Sequence, residues 1–340
     1  NNDEYMKFNA IVGNPPYQVM DGGSKASATP IYNKFVDIAK QIKAIYISMI
    51  IPARWYAGGK GLDIFRESML NDKHLSAMFD YPKCRDVFQN VDIAGGLCYF
   101  LWDLKYNNQC NFVSYFRGNK CVLQRDLDEF PILIRDNVGL GIIHKIMRPD
   151  TKFVGNELVQ KVSPFGLRSY IRGTEVPFYD CLTIVSSAGR GYIKLADIKK
   201  GNNLVDKWKI MVGYLNPDRA GVNNSKNDLS NVTTKLTILK PKEVITETYI
   251  LLGCFDNEKE ADHYALYMKT KFVRLLVFLT LSSMHITKLN YQFVPMQDFT
   301  SKSDIDWNKS VSEIDHQLYV KYGLTEKEIL FIESMIKEME

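Results

Sequence analysis

The sequence predicts an α/β chain in two parts: alternating strands and helices first, then a β-rich α+β region closed by a helix. Three observations predict it. Residues 8–104 alternate short apolar runs with helical stripes. From about residue 135 the pattern shifts to short strand-like pieces between polar loops. The 340 residues, 46% of them hydrophobic, can bury a sizeable core and fill two domains.

In order, Phe8–Val12 reads as a strand and Tyr32–Ile42 as a helix with Phe35, Val36, Ala39 and Ile42 on one face. Ala44–Ile51 is an apolar strand closed by Pro52, Asp63–Leu70 a helix, and Leu75–Tyr81 and Ile93–Leu104 strands. This βαβαβ order implies a parallel sheet with both faces buried. Gly58-Gly59-Lys60-Gly61 reads as a flexible loop, a plain one rather than one that touches a phosphate, though its composition allows both. Residues 106–135 read as a connector. Beyond it, Tyr170–Arg172, Leu182–Val185, Trp208–Tyr214 and Val244–Leu252 are strand candidates, and Leu215–Asn231 is a polar loop. Glu258–Leu281 reads as one long amphipathic helix, with Ala261, Ala265, Met268, Phe272, Leu275 and Leu279 on a shared side. The capping box Thr325-x-x-Glu328 starts a last helix. Gly139-x-Gly141 and Gly189-x-Gly191 are too short to be nucleotide loops.

A net charge of +4 decides nothing about nucleic acid, but its distribution does more. Residues 186–242 hold eleven lysines and arginines against four aspartates, a local excess larger than that of the whole chain. Such a stretch can neutralise phosphates and release counterions, though a solvated basic face has the same look. Arg190, Lys194, Lys207, Lys209 and Arg219 are the candidate contacts, with Asn223 and Asn224 in the polar loop as candidate readers of base edges. The six cysteines form no CxxC pair and the five histidines are scattered, so neither a metal site nor a disulfide framework is expected. That usage fits a reducing cytoplasm. No apolar run is long enough to span a membrane.

The most specific feature is Asn14-Pro15-Pro16-Tyr17, directly after the first strand. An amino group on an aromatic ring is a poor nucleophile because its lone pair is delocalised. Two acceptors aimed at its hydrogens return that pair to nitrogen. The Asn14 side-chain oxygen and the Pro15 carbonyl can be those acceptors, the two prolines hold the loop rigid, and Tyr17 offers a face for stacking. A plain turn has the same composition.

The chain resembles the N6-adenine DNA methyltransferases of bacterial restriction–modification systems, in the gamma-type motif order and type II/IIG-like. Besides the tetrapeptide, the resemblance rests on Thr29-Pro30-Ile31-Tyr32-Asn33-Lys34-Phe35, on Ile51-Pro52-Ala53-Arg54-Trp55, and on Asp86-Val87-Phe88 ahead of the strand Ile93–Trp102. It is specific over roughly residues 5–105 and looser over 258–340. It implies that Phe88 stacks on the second face of a flipped adenine held by Asn14 and Tyr17, and that Arg54 and Trp55 line the cleft edge. It implies a fold that is the second half of a Rossmann-like methyltransferase sheet (residues 1–120), followed by an α+β target-recognition domain (121–300) and a C-terminal helical segment (301–340). The partner implied is double-stranded DNA, and the cofactor is S-adenosylmethionine. In the gamma order the cofactor's Gly-rich loop precedes NPPY, so the chain reads as a fragment, with an upstream cofactor half of the same polypeptide and room for an attached nuclease. The rival readings are a DNA-binding specificity module without activity, and an RNA or protein N-methyltransferase.

Overall fold

The computed structural model describes residues 8–20, 28–58, 61–90, 93, 95–116, 119–217, 229–281 and 285–339. The chain divides into two compact units, residues 1–140 and 141–340.

The first unit is built on strands β1 (Ala10–Gly13), β2 (Gln18–Met20) and β3 (Ala28–Pro30), helix α1 (Tyr32–Gln41), β4 (Tyr46–Pro52), α2 (Asp63–Leu70), β5 (Leu75–Tyr81), β6 (Leu97–Asp103), β7 (Cys110–Phe116) and β8 (Asn119–Arg125). Six strands form one sheet in the order β1-β4-β6-β5-β7-β8, and β2 and β3 pair as a separate antiparallel ribbon. Most expected elements lie where the apolar periodicity places them, but the all-parallel sheet does not form. The β1/β4 and β5/β7 pairs are parallel; β6 runs antiparallel to both β4 and β5. Among its described residues the β5–β6 connection contains a short 3₁₀ turn, Cys84–Asp86, and no crossover helix that would return the chain parallel. The expected connector, residues 106–135, instead contributes the hairpin β7–β8, which extends the sheet. A domain break after residue 120 would cut β8, and the division between units lies after Leu140.

One face of this sheet carries the core. Ile47, Met49 and Ile51 of β4, Met78 of β5 and Phe100 of β6 pack with Tyr32, Val36 and Ala39 of α1 and Phe65 and Met69 of α2. The expected α1 face was shifted by a fraction of a turn: Tyr32, Val36 and Ala39 are buried, whereas Phe35, Ile38 and Ile42 are exposed.

Helix α3 (Asn137–Ile146) spans the division between units. The second unit continues with α4 (Val154–Glu157), β9 (Leu182–Ser186), β10 (Gly189–Ile193), β11 (Trp208–Gly213), β12 (Thr237–Leu239), β13 (Glu243–Ile245), β14 (Tyr249–Phe255), α5 (Glu258–Lys269), α6 (Lys271–Phe278), α7 (Val311–Lys321) and α8 (Glu326–Met335). Its strands form two three-stranded sheets, β10-β9-β13 and β12-β11-β14, over a shared core that includes Ile184, Leu239, Val244 and Leu251. Tyr170–Arg172 is not a strand, and Val244–Leu252 is two strands separated by a turn.

The long helix expected over 258–281 is two helices. Thr270 leaves the helical region at φ −59° and ψ 147°, and its hydroxyl caps the Val273 N–H at 3.2 Å. The Asp315 carboxylate of α7 accepts from the Lys271 and Phe272 N–H groups at 2.9 and 2.8 Å, satisfying the new helix start. α7 thus packs into the α5–α6 corner. The Thr325–Glu328 capping box forms as expected.

Candidate active site

The strand directions bring three loops to one end of the first unit's sheet. β1 ends at Gly13 and runs parallel to β4, which ends at Pro52; Pro52 pairs with Leu97, the start of β6, and Leu97 pairs with Tyr81, the end of β5. The NPPY loop, the turn Ala53–Ala57 and the β5–β6 loop with Phe88 therefore leave from the same edge. β1, which leads into the first of them, and β6, which follows the last, are two spacings apart, about 10 Å.

Within the NPPY loop, Asn14 is exposed, Pro15 buried, Pro16 exposed and Tyr17 half-buried. Tyr17 packs against the core cluster, and its carbonyl accepts from the Ile31 N–H at 3.1 Å, which fastens the loop to the start of α1. Its buried hydroxyl has no hydrogen-bond partner of ordinary geometry. Burial raises its pKa, the Cys98 and Cys84 thiols add to that, and the nearby Asn14 side chain only partly offsets it. Tyr17 is thus a neutral phenol with a partly open ring, and Asn14 is an uncharged amide reachable from solvent.

Phe88 is half-buried on the β5–β6 loop, and its N–H donates to the Cys84 carbonyl at 2.8 Å. The Cys84 sulfur accepts from the Ile93 N–H at 3.1 Å, so this buried residue organises both sides of the loop. Ala53 N–H donates to the Gly96 carbonyl at 3.0 Å, joining that loop to the turn after β4. Gly96 has φ +78°, and a Cβ there would lie 2.2 Å from the Tyr81 carbonyl oxygen, so only glycine fits.

Two residues that sequence reasoning passed over fix the base of the Phe88 loop. Asp80 on β5 is fully buried, and Arg135 grips it with two bonds, Nε to Oδ2 at 2.9 Å and Nη2 to Oδ1 at 2.7 Å. The third guanidinium arm, Nη1, donates to the Gly95 carbonyl at 2.6 Å. The signal in the sequence was an aspartate inside an apolar strand, which demands a cation from elsewhere. Cys98, buried between Trp55 and Tyr56, has its thiol pushed up to about 12 by burial and is no nucleophile.

Arg54 is exposed, but Trp55 is fully buried, edge-on to Tyr56 and Phe65 at 4.8 and 5.7 Å. The expectation that Trp55 lines a cleft is corrected: its ring is core, because the turn carries it under the sheet end. Among the basic candidates of the second unit, Lys209 is also corrected. It is fully buried, and its Nζ donates to the Val205 and Lys207 carbonyls at 2.9 and 2.6 Å, so it touches no phosphate. Arg190 is exposed but paired with Glu243, Lys207 is paired with Asp256, and Lys194 is exposed. Arg219, Asn223, Asn224, Gly59 and Lys60 lie outside the described residues. Gly139 and Gly141 sit inside α3, so no Gly-rich cofactor turn forms there.

Residues 1–88 match the model of the Eco57I restriction-modification methylase family. The matched segment contains both the NPPY loop and Phe88. A Mycoplasma pneumoniae protein described as an uncharacterized adenine-specific methylase is 34% identical over 122 residues, which is 32% of this chain and 29% of that protein. Among solved structures, the type IIG restriction endonuclease BpuSI is similar at 12% identity and a TM-score of 0.38, over 90% of this chain and 48% of that one. The type IIL restriction-modification enzyme MmeI, solved in complex with DNA, is similar at 9% identity and a TM-score of 0.44, over 96% of this chain and 56% of that one. The chain spans less than a third of the curated relative and about half of the two structures. Among the described residues no helix is long and apolar enough to cross a membrane, and no cluster of His, Cys, Asp and Glu is placed to hold a metal.

Proposed function

We propose that this chain is the catalytic edge and target-recognition part of a restriction–modification enzyme that methylates the N6 amino group of adenine in double-stranded DNA. The observation that carries the reading is the convergence of the NPPY loop and the Phe88 loop at one end of the sheet. In this reading the target adenine leaves the DNA stack, at a cost of a few kcal/mol. Tyr17 and Phe88 hold its two faces, each stack contributing about 1–3 kcal/mol. The Asn14 amide oxygen and the Pro15 carbonyl accept from the two amino hydrogens, which sharpens the nitrogen's lone pair. The neutrality of Tyr17 suits this, since a phenolate beside an electron-rich nitrogen would repel it.

The reading places the S-adenosylmethionine site in an upstream half that completes the sheet. Among the described residues β1 is the terminal strand of its sheet, and its Val12 is 79% exposed. An apolar group exposed on an edge strand supports a sheet that continues in another part of the protein. The second unit would then set the DNA sequence, and a nuclease carried on the same polypeptide is compatible with this arrangement.

The test is acceptor identity. With the upstream half restored, methyl-tritiated S-adenosylmethionine should label duplex DNA and leave RNA and protein unlabelled. Label in RNA or protein instead of DNA sinks the proposal.

A further inference from the structure

The second unit contains a cavity of about 510 Å³ whose lining includes Asn231, Thr233, Thr234, Lys235, Arg274 and Lys337. Among the described residues, Glu338 is the single anion on its wall, against three cations. The backbone beneath it is strained in a specific way. Val232 is fully buried at φ +65°, and the Thr233 N–H donates to the Asn231 carbonyl at 2.7 Å, closing a γ-turn around it. A β-branched residue in the left-handed region is unfavourable, and such turns persist only where neighbours enforce them. Here they do. Ser230 N–H donates to the Met335 carbonyl at 2.8 Å, Lys337 N–H donates to the Ser230 carbonyl at 2.9 Å, and the Thr234 hydroxyl accepts from the Gly213 N–H at 2.6 Å. The enforced turn sinks Val232 into the core and leaves Asn231 and Thr233, on either side of it, in the cavity lining. Lys337 comes to the same wall through its bond to Ser230. Arg274, only 1% exposed, is fixed by its Nε donating to the Lys269 carbonyl at 3.0 Å and also acts on Asp315, so it borders the cavity as a buried, partly offset charge while the exposed Lys235 and Lys337 carry most of the attraction.

We propose that this cavity binds a phosphate group. Three cations with hydroxyl and amide neighbours match the charge and hydrogen-bonding capacity of a tetrahedral dianion or diester. Its lining holds no aromatic side chain among the described residues, so it lacks the wall a nucleobase or free nucleotide needs. That favours a nucleic-acid backbone phosphate over a free nucleotide as the source. In that form the site rests on the DNA reading above and adds to it a fixed anchor point on the second unit.

The test uses the 340-residue chain and the variant Lys235→Gln/Lys337→Gln, whose side chains are exposed and whose loss leaves the fold intact. Anisotropy of a labelled mixed-sequence duplex is followed across a salt series, and inorganic phosphate and ATP are titrated by calorimetry. The variant is expected to bind duplex roughly 5-fold more weakly near physiological salt, with a salt slope shallower by about 0.9, the share of one phosphate contact. Unchanged duplex binding with loss of ATP or phosphate binding keeps the site and overturns the backbone as its source. Unchanged binding of all three overturns the site. If the wild-type chain binds no duplex, the DNA reading fails, and the phosphate and ATP titrations decide the cavity on their own.

Discussion

Replacing Arg135 by Met tests the support under the Phe88 loop. Met keeps most of the aliphatic stem and removes the charge. Asp80 would then be a carboxylate at 0% exposure, stripped of the two bonds at 2.9 and 2.7 Å. Breaking a buried pair by removing one partner is destabilising by about 3–5 kcal/mol. Arg135 itself is about a quarter exposed, so water can partly replace it, and the lower end, about 3 kcal/mol, is expected. The Gly95 carbonyl loses its 2.6 Å donor at the same time, which should loosen residues 82–96 before the sheet itself. Urea unfolding gives the first quantity, and hydrogen exchange of the loop amides gives the second. The double variant Asp80→Asn/Arg135→Met removes the buried charge and should recover more than half of the loss. A loss under about 0.5 kcal/mol in the single variant, or no recovery in the double, would refute the argument that the ion pair holds this loop.

Asp315 gives the chain a pH dependence. Burial pushes its carboxyl up to about 7, although the Phe272 and Lys271 N–H groups pull it back, against about 3.9 in the unfolded chain. The folded state therefore binds this proton more tightly, so the contribution is full below about pH 4 and is lost as pH rises towards 7, on the order of 4 kcal/mol across the window. Asp315→Asn should flatten that part of the stability-versus-pH curve; an unchanged slope contradicts it. Lys209→Met should lower the melting temperature, since it strands the carbonyls of Val205 and Lys207, yet leave the salt slope of duplex binding untouched; a shallower slope would mean the side chain reaches DNA. In the completed enzyme, Phe88→Ala should lower kcat/KM for DNA by roughly 5- to 150-fold, the worth of one base stack, and unaltered kinetics would remove Phe88 from the site.

The local elements of the first unit were legible because their periodicities are local. α2 and β5 lie where the apolar spacing puts them, and the Thr325 capping box starts α8 as written. The direction of β6 was not legible: a strand's sequence records which faces are buried, not which way it runs beside its neighbours. The β7–β8 hairpin was hidden by polar residues such as Asn111 and Gln124, which suit strands at a sheet margin and read as loop. The helix break at Thr270 depends on Asp315, 45 residues later, so no local signal marks it. Lys209 was misplaced for a related reason. Counting charges along a stretch finds a basic region, but β11 is buried from Lys209 through Val212, and the Val205 and Lys207 carbonyls hold this lysine inside. In the candidate site, NPPY was readable because its residue types serve one chemistry, whereas Arg135 was not, because its role exists only once β5 and Gly95 are brought together.

The central claim is that Asn14 holds the amino group of a flipped adenine. The most direct measurement compares the wild-type enzyme, upstream half restored, with Asn14→Ala in two assays on the same duplex: binding, and N6-methyladenine formed, by mass spectrometry. Asn14 is exposed and outside the core, so its replacement should spare folding and duplex affinity. Binding should stay within about twofold while N6-methyladenine falls at least 100-fold, the scale of losing one preorganised polar contact in the transition state. Undiminished N6-methyladenine in the Asn14→Ala enzyme would contradict it.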